Sequence, residues 1–273
     1  MATDWSLKRR IEREYSQAIA RILVRLPDAE NIRSPAELLA AVENWSGSAV
    51  FKKSLQAVVA SWITHINDGN SRSWREAARK SSKSRLIYQS LQKELAGTAG
   101  VKIAEIAKKN AKHISSLPLE LAERATQYIT DQAFKGVRSE ELAKELLTRY
   151  KHLSESRAKL IARTESSKAQ TALTRVRSED LGLVWYIWTT SKDQRVRESH
   201  EHMDGVIINW NDPPSPEALA GERSYGNYHA GDTFNCRCYP RPLLSPGDVS
   251  WPHKVYYNGR IQIMTRKRFE EVA

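Results

Sequence analysis

Apolar positions recur at a spacing of three or four from Ile11 to about residue 181, so the first two-thirds of the chain reads as helix after helix. IEREYSQAIARILVRL is the first segment and stops before Pro27. SPAELLAAVENW is the second. Ser34 is placed to cap it, Pro35 to take its first position and Glu37 to complete a capping box. FKKSLQAVVASWITHIN follows and is expected to stop at the turn-forming Asp68-Gly69-Asn70. SWREAARKSSKSRLIYQSLQKELA reads as one long, polar, basic helix, and VKIAEIAKKNAKHISS repeats the pattern. Pro118 opens LELAERATQYITDQAFKG, with closure expected at Gly136. Ser139 is expected to cap SEELAKELLTRY, and a separate helix to run from Ser154 to Gly182. No fixed-period repeat is visible, and helical pairs with short loops are the simplest architecture.

The pattern changes after Gly182. LVWYIWTT is dense in β-branched and aromatic residues and reads as a strand. NDPPSPEALAGERSYGNYHAGD reads as loop. KVYYNGRIQIMT has two strand-like runs around Asn258-Gly259, a dipeptide suited to two positive φ angles and therefore to a hairpin. The expected fold class is α+β: a mainly α-helical N-terminal two-thirds, followed by a small loop-rich α+β domain with a β-hairpin. Residues 1–114 form a basic helical region, 115–182 a second helical part and 183–273 the small domain. Such a domain has a limited core and calls for something to pin it.

Hydrophobic residues make up 40% and charged residues 27% of the 273 positions, which indicates a globular chain rather than a disordered one. No run of about 18 apolar residues is present, so no transmembrane helix is expected. MATDWSLKRRIEREY lacks an apolar signal core, and synthesis in the cytosol follows. The net charge of +11 is unevenly spread. From residue 182 onward 11 Lys+Arg balance 11 Asp+Glu, so the whole excess lies in the first 181 residues. KSSKSR (80–85) and KKNAKH (108–113) are the best candidates for contact with a polyanion. Basic helices of this kind either touch phosphates without reading sequence or present solvated faces, and charge alone does not separate the two.

The two cysteines of the chain, Cys236 and Cys238, stand one residue apart. A bridge between them would close a small, strained ring, so they are either reduced or bound to something. On an extended strand they would project to one face, from which they could hold one ion. Zinc accepts thiolates and imidazoles. His200, Cys236 and Cys238 are three candidate ligands, with His229 or His202 as the fourth. His200 and His202 point to different sides of a helix and cannot both serve unless the segment is extended. The spacing is not that of a zinc finger, and two buried cysteines that merely pack, with His200 bonded to a loop carbonyl, are the plain alternative. Asp193 is expected to cap the helix QRVRESHEHM, Asp204-Gly205 to form a turn, and Trp185 and Trp188 to pack.

The ordered string Asp193-x-Arg195-x-Arg197-x-x-His200-x-x-Met203-Asp204-Gly205, followed by Asn235-Cys236-Arg237-Cys238, resembles the Mu F-like phage head morphogenesis family, the minor head proteins. Ile161-Ala162-Arg163-Thr164-Glu165 upstream, then Gly182 and Trp188, fit the same family. The resemblance covers about residues 115–245, so 115–182 is the helical part of the head morphogenesis module. Met203 stands where Leu is usual.

The resemblance implies a virion structural protein rather than an enzyme, made in the host cytoplasm and lying inside the head near the portal. Portal, capsid or scaffold proteins are the partners implied, with non-specific contact to phage DNA and no membrane. It favours a structural zinc at the C-x-C site. With the chain ending at Ala273 soon after the hairpin, no toxin domain of the kind that longer relatives carry is expected. Glu165 is expected to dock the helical part by pairing with Arg195 or Arg197. Two other readings stand beside this one. A zinc-dependent hydrolase or nuclease would use Glu198 or Glu201 as general base. A DNA-binding accessory protein outside the virion would rest on the net charge alone.

Overall fold

A computed structural model describes residues 3–27, 29–93, 96–134 and 139–273. Its helices are α1 (Arg9–Val24), α2 (Pro35–Gly47), α3 (Ala49–Lys80), α4 (Ser84–Lys93), α5 (Thr98–Ser115), α6 (Leu117–Phe134) and α7 (Ser139–Asp180). The remainder alternates short elements: β1 (Trp185–Thr189), α8 (Glu198–His202), β2 (Ile207–Asn209), α9 (Pro216–Leu219), β3 (Tyr239–Pro242), β4 (His253–Tyr257), β5 (Arg260–Met264) and α10 (Arg266–Val272). The α+β expectation holds. Contacts group the chain into two units, 9–64 with 105–162, and 1–8 with 65–104 and 163–273. This grouping cuts across the linear segments 1–114, 115–182 and 183–273, because α3, α5 and α7 each contribute to both units.

The first unit is helical. Ile11, Tyr15, Ile19 and Leu23 form the buried face of α1. Tyr15 stacks on Trp62 with ring centroids 4.6 Å apart, and its hydroxyl donates to the buried Asn110. The C-terminal carbonyls of a helix lack intrahelical donors. Here the indole N–H of Trp45 donates to Ile22 O at 2.9 Å and the Tyr150 hydroxyl to Leu23 O at 2.8 Å. The α2 cap is as expected, with a full box between Ser34 and Glu37 and Pro35 in the first turn.

In the second unit the expected stop at Asp68-Gly69-Asn70 does not occur, and α3 runs through it to Lys80. The reason is tertiary. Asn70 is fully buried, and its amide donates to Thr174 Oγ1 at 2.7 Å. The buried guanidinium of Arg177 donates to the side chains of Asn67, Asn70 and Ser71. A turn former whose polar groups are met by a neighbouring helix has no need to break its own. The reverse occurs at Ser81, whose hydroxyl accepts from the Lys83 N–H at 3.1 Å and divides the expected long helix into α3 and α4.

The two helices expected on either side of Ser154 are one, the 42-residue α7, with Ser154 fully buried inside it. Nothing in KHLSES breaks a helix, and burial overrides the capping preference of one serine. Its C-terminus follows the sequence. Gly182 has φ +66°, its N–H bonds Glu179 O at 3.0 Å, and the Leu183 N–H bonds Ser178 O at 2.8 Å, a Schellman closure. The expected closure at Gly136 lies outside the described residues, as does the Ser139 side chain.

The sheet has the order β3-β1-β2-β4-β5. All its pairings are antiparallel except β2 with β4, which meet in parallel at Ile207 and Val255. Strand β1 lies between β3 and β2 and is buried on both faces, which explains the unbroken apolar run Trp-Tyr-Ile-Trp. Trp185 and Ile187 face one core with Leu243, Val255 and Phe269. Tyr186 and Trp188 face the other, with Met203, Trp210, Tyr228, Cys236 and Cys238. The hairpin turns at Asn258 and Gly259, with φ +53° and +76°.

Candidate metal centre

Three side chains converge on the second face of β1. Strand β1 ends at Thr189, where the Asp204 carboxylate accepts from the Thr190 N–H at 2.8 Å, and Gly205, with φ +81°, donates to Trp188 O at 2.9 Å. These bonds make the expected turn and seat α8 against the strand. His200 on α8 is buried while His202 is exposed, as helical geometry requires.

Cys236 and Cys238 were expected on a strand. They lie instead in the irregular lead-in to β3, because Asn235 takes φ +53° and starts a new direction. The Cys238 N–H then donates to Cys236 Sγ at 3.3 Å rather than to a strand partner. Both sulphurs still reach one atom: each lies 3.5 Å from His200 Nδ1. The ligand atoms of the three residues all fall within 4.8 Å of one another, and all three residues are buried.

The other edge of His200 fixes its tautomer. Nε2 lies 2.9 Å from Tyr228 Oη, and the Tyr228 hydroxyl donates to Glu217 Oε1. A hydroxyl that donates onward accepts from the imidazole, so Nε2 carries the hydrogen and the Nδ1 lone pair faces the two sulphurs. Glu217 is 1% exposed. Its place follows from α9, which Ser215 caps and Pro216 opens. Burial, and next the Glu217 carboxylate, hold the Tyr228 hydroxyl well above its ordinary range, so it remains a donor.

The sulphurs share a proton. The hydrogen bond from Cys238 pushes the Cys236 thiol down to about 4 against the opposing effect of burial. Cys238 is held up by its bond to Cys236, by burial and by the neighbouring charge. Neither cysteine is in a disulfide. A divalent cation would supply the charge that lets both become thiolates. Zinc bonds of about 2.3 Å to sulphur and about 2.0 Å to nitrogen, at a tetrahedral angle, put a ligating sulphur about 3.5 Å from a ligating nitrogen. That is the separation found for both pairs. The donor set, the lone-pair direction and the spacing all fit a metal ion.

His229, the expected fourth ligand, is not in this group. Its Nδ1 lies 3.1 Å from Tyr186 Oη and its Nε2 lies 3.3 Å from an Arg175 nitrogen, and it packs against Trp210. Burial first, then the Arg175 charge, push it down to about 4, so it is a neutral structural histidine. Asp193 does not cap α8, whose first turn has no side-chain cap. Its carboxylate accepts from the Arg195 N–H at 3.0 Å and pairs with Arg237 at 2.6 Å, tying the loop before α8 to the C-x-C segment. Arg197 donates to Phe234 O at 3.0 Å and lies over the Phe234 ring. The docking contact of Arg163-Thr164 is made to Asn235: Arg163 donates to its side chain at 2.9 Å, and its N–H donates to Thr164 Oγ1 at 3.0 Å. Tyr228 and Glu217 were missed by sequence reasoning, since neither carries a motif and a buried acid in a Pro/Gly-rich loop looks like a solvated one.

Residues 123–240 match the family described as Phage Mu protein F like protein. A Haemophilus influenzae relative, itself described as an uncharacterized protein, is 33% identical over 143 residues, covering 52% of this chain. The chain spans 30% of that relative's length. No solved structure matches.

Proposed function

Because residues 123–240 match the family described as Phage Mu protein F like protein, we propose that this chain is a phage minor head protein that works in head morphogenesis. It acts inside the procapsid near the portal, with portal, capsid or scaffold proteins as partners, and it remains in the virion. The observation that carries the reading is the extent of the matched segment, which begins in α6 and takes in α7, β1, α8 and all three clustered ligands. Among the described residues no helix is long and apolar enough to cross a membrane.

The metal centre is a staple in this reading, and zinc is its ion. Two thiolates and an imidazole, all buried, are the donors of structural zinc. They join α8 to a segment 36 residues further on in a region of short elements. Glu198 and Glu201, the acids that a hydrolase would use, are exposed on α8, whereas the three ligands are buried. The test is the composition of heads isolated from infected cells. The chain should co-purify with portal-containing particles; its absence from particles at every stage of assembly overturns the role.

A second contact is supported by charge. Lys108, Lys109 and Lys112 are exposed on α5, where the buried Asn110 fixes the opposite face. These lysines suit DNA phosphates without sequence readout, with affinity that falls steeply with salt. Duplex DNA that does not bind even at low salt removes this contact and leaves the head role intact.

A further inference from the structure

Reading the His200–Cys236–Cys238 group as a metal centre, on which this inference rests, leaves one coordination position to fill. Among the described residues the group supplies three ligands, whereas tetrahedral zinc takes four. The Nε2 edge of His200 is closed by Tyr228. The three ligands also border a cavity of about 50 Å³ whose wall includes Ser191, Arg195, Arg197 and Arg237. Three arginines from two chain segments therefore border the same cavity as the three ligands.

Their number is not explained by the thiolates. A divalent ion balances the two sulphurs by itself, and Asp193 offsets Arg237. Arg197 and Arg195 remain as two positive charges bordering the cavity. Arg197 is anchored on Phe234, with its guanidinium 4.8 Å from the ring centroid. The Arg195 side chain is exposed and makes no hydrogen bond or ion pair among the described residues. A space of this volume holds a few waters or one tetrahedral oxyanion. It is far smaller than the several hundred Å³ that a drug-sized ligand requires. Guanidinium forks match the oxygens of such an anion.

We propose that the fourth coordination position is exchangeable and takes a single phosphate group, one oxygen on the ion and others on Arg195 and Arg197. The staple is then also a small anion receptor, closed on one side by Tyr228 and open on the other to the arginines.

Cobalt(II) in place of zinc makes the coordination sphere visible, since its d–d bands respond to the fourth ligand. The full chain, loaded with cobalt, is titrated with inorganic phosphate at constant ionic strength, with chloride as the parallel arm. The bands should shift saturably with phosphate and not with chloride. Arg195→Ala should weaken phosphate binding about tenfold at undiminished cobalt content. Bands unmoved by phosphate in fully loaded protein, an equal response to chloride, or an Arg195→Ala variant of unchanged affinity each overturn the proposal while leaving the centre standing. A chain that takes up no cobalt refutes the centre, and the proposal with it.

Discussion

Tyr228 Oη lies 2.9 Å from His200 Nε2 and passes its own hydrogen to the buried Glu217. Two residues outside every motif thus set which nitrogen of His200 is free. Outer partners of this kind typically change metal affinity about 10–100-fold. Tyr228→Phe and Glu217→Gln are each expected to weaken zinc binding by that order, measured by competition with a chromophoric chelator. Equal affinity in both variants would mean that the relay is packing only.

Gly231 is expected to resist any substitution. It has φ +85°, and a Cβ there would lie 2.5 Å from Thr171 Oγ1, 2.7 Å from Cys238 O and 2.9 Å from Ser167 Oγ. The loop that carries the second cysteine is therefore pressed onto α7, where Thr171 Oγ1 donates to Ala230 O at 2.6 Å. Gly231→Ala should cost at least about 2 kcal/mol, from the left-handed backbone and from overpacking together. Urea unfolding checks this, and a loss below about 0.5 kcal/mol would show that the contact yields easily.

His229 makes stability depend on acid. Its folded value, about 4, lies below its unfolded value of 6.5, so the contribution is complete above about pH 6.5 and is lost as pH falls toward 4. The full loss is on the order of 3 kcal/mol. His229→Gln should make stability fall less steeply between pH 6.5 and 4.5 than it does in the parent chain. Any metal-linked acid sensitivity is common to both proteins and cancels in the difference. Identical slopes would mean that His229 is protonated in the fold.

Asn70 holds α3 to α7 through Thr174 and Arg177. Asn70→Ala removes one bond accepted by the buried Thr174 hydroxyl and one donated by the buried Arg177 guanidinium, which should cost about 2–4 kcal/mol. Equilibrium unfolding that differs from the parent by less than about 1 kcal/mol would refute the assignment.

The legible parts of the fold were those whose signal is local. The Ser34–Glu37 box, the Gly182 closure and the Asn258-Gly259 hairpin depend on residues that touch within a few positions, and the structure has all three. Two of the three errors in the long helices share one cause. Asp68-Gly69-Asn70 and Ser154 carry turn and cap preferences that partners or burial far along the chain override. The candidate site divides the same way. His200, Cys236 and Cys238 were visible because few residue types supply soft ligands. His229 was a plausible fourth by type alone, and its actual partners, Tyr186 and Arg175, lie 43 and 54 positions away. Glu217 and Tyr228 were invisible because the sheet and α8, not the loop, bury them.

Metal content of the chain, purified without chelator and measured by elemental mass spectrometry, bears most directly on the central claim. The account predicts about one zinc per chain, lost in Cys236→Ser and in His200→Ala. A parent chain free of metal, and still free after incubation with zinc, would contradict it and return both cysteines to the core as packing residues.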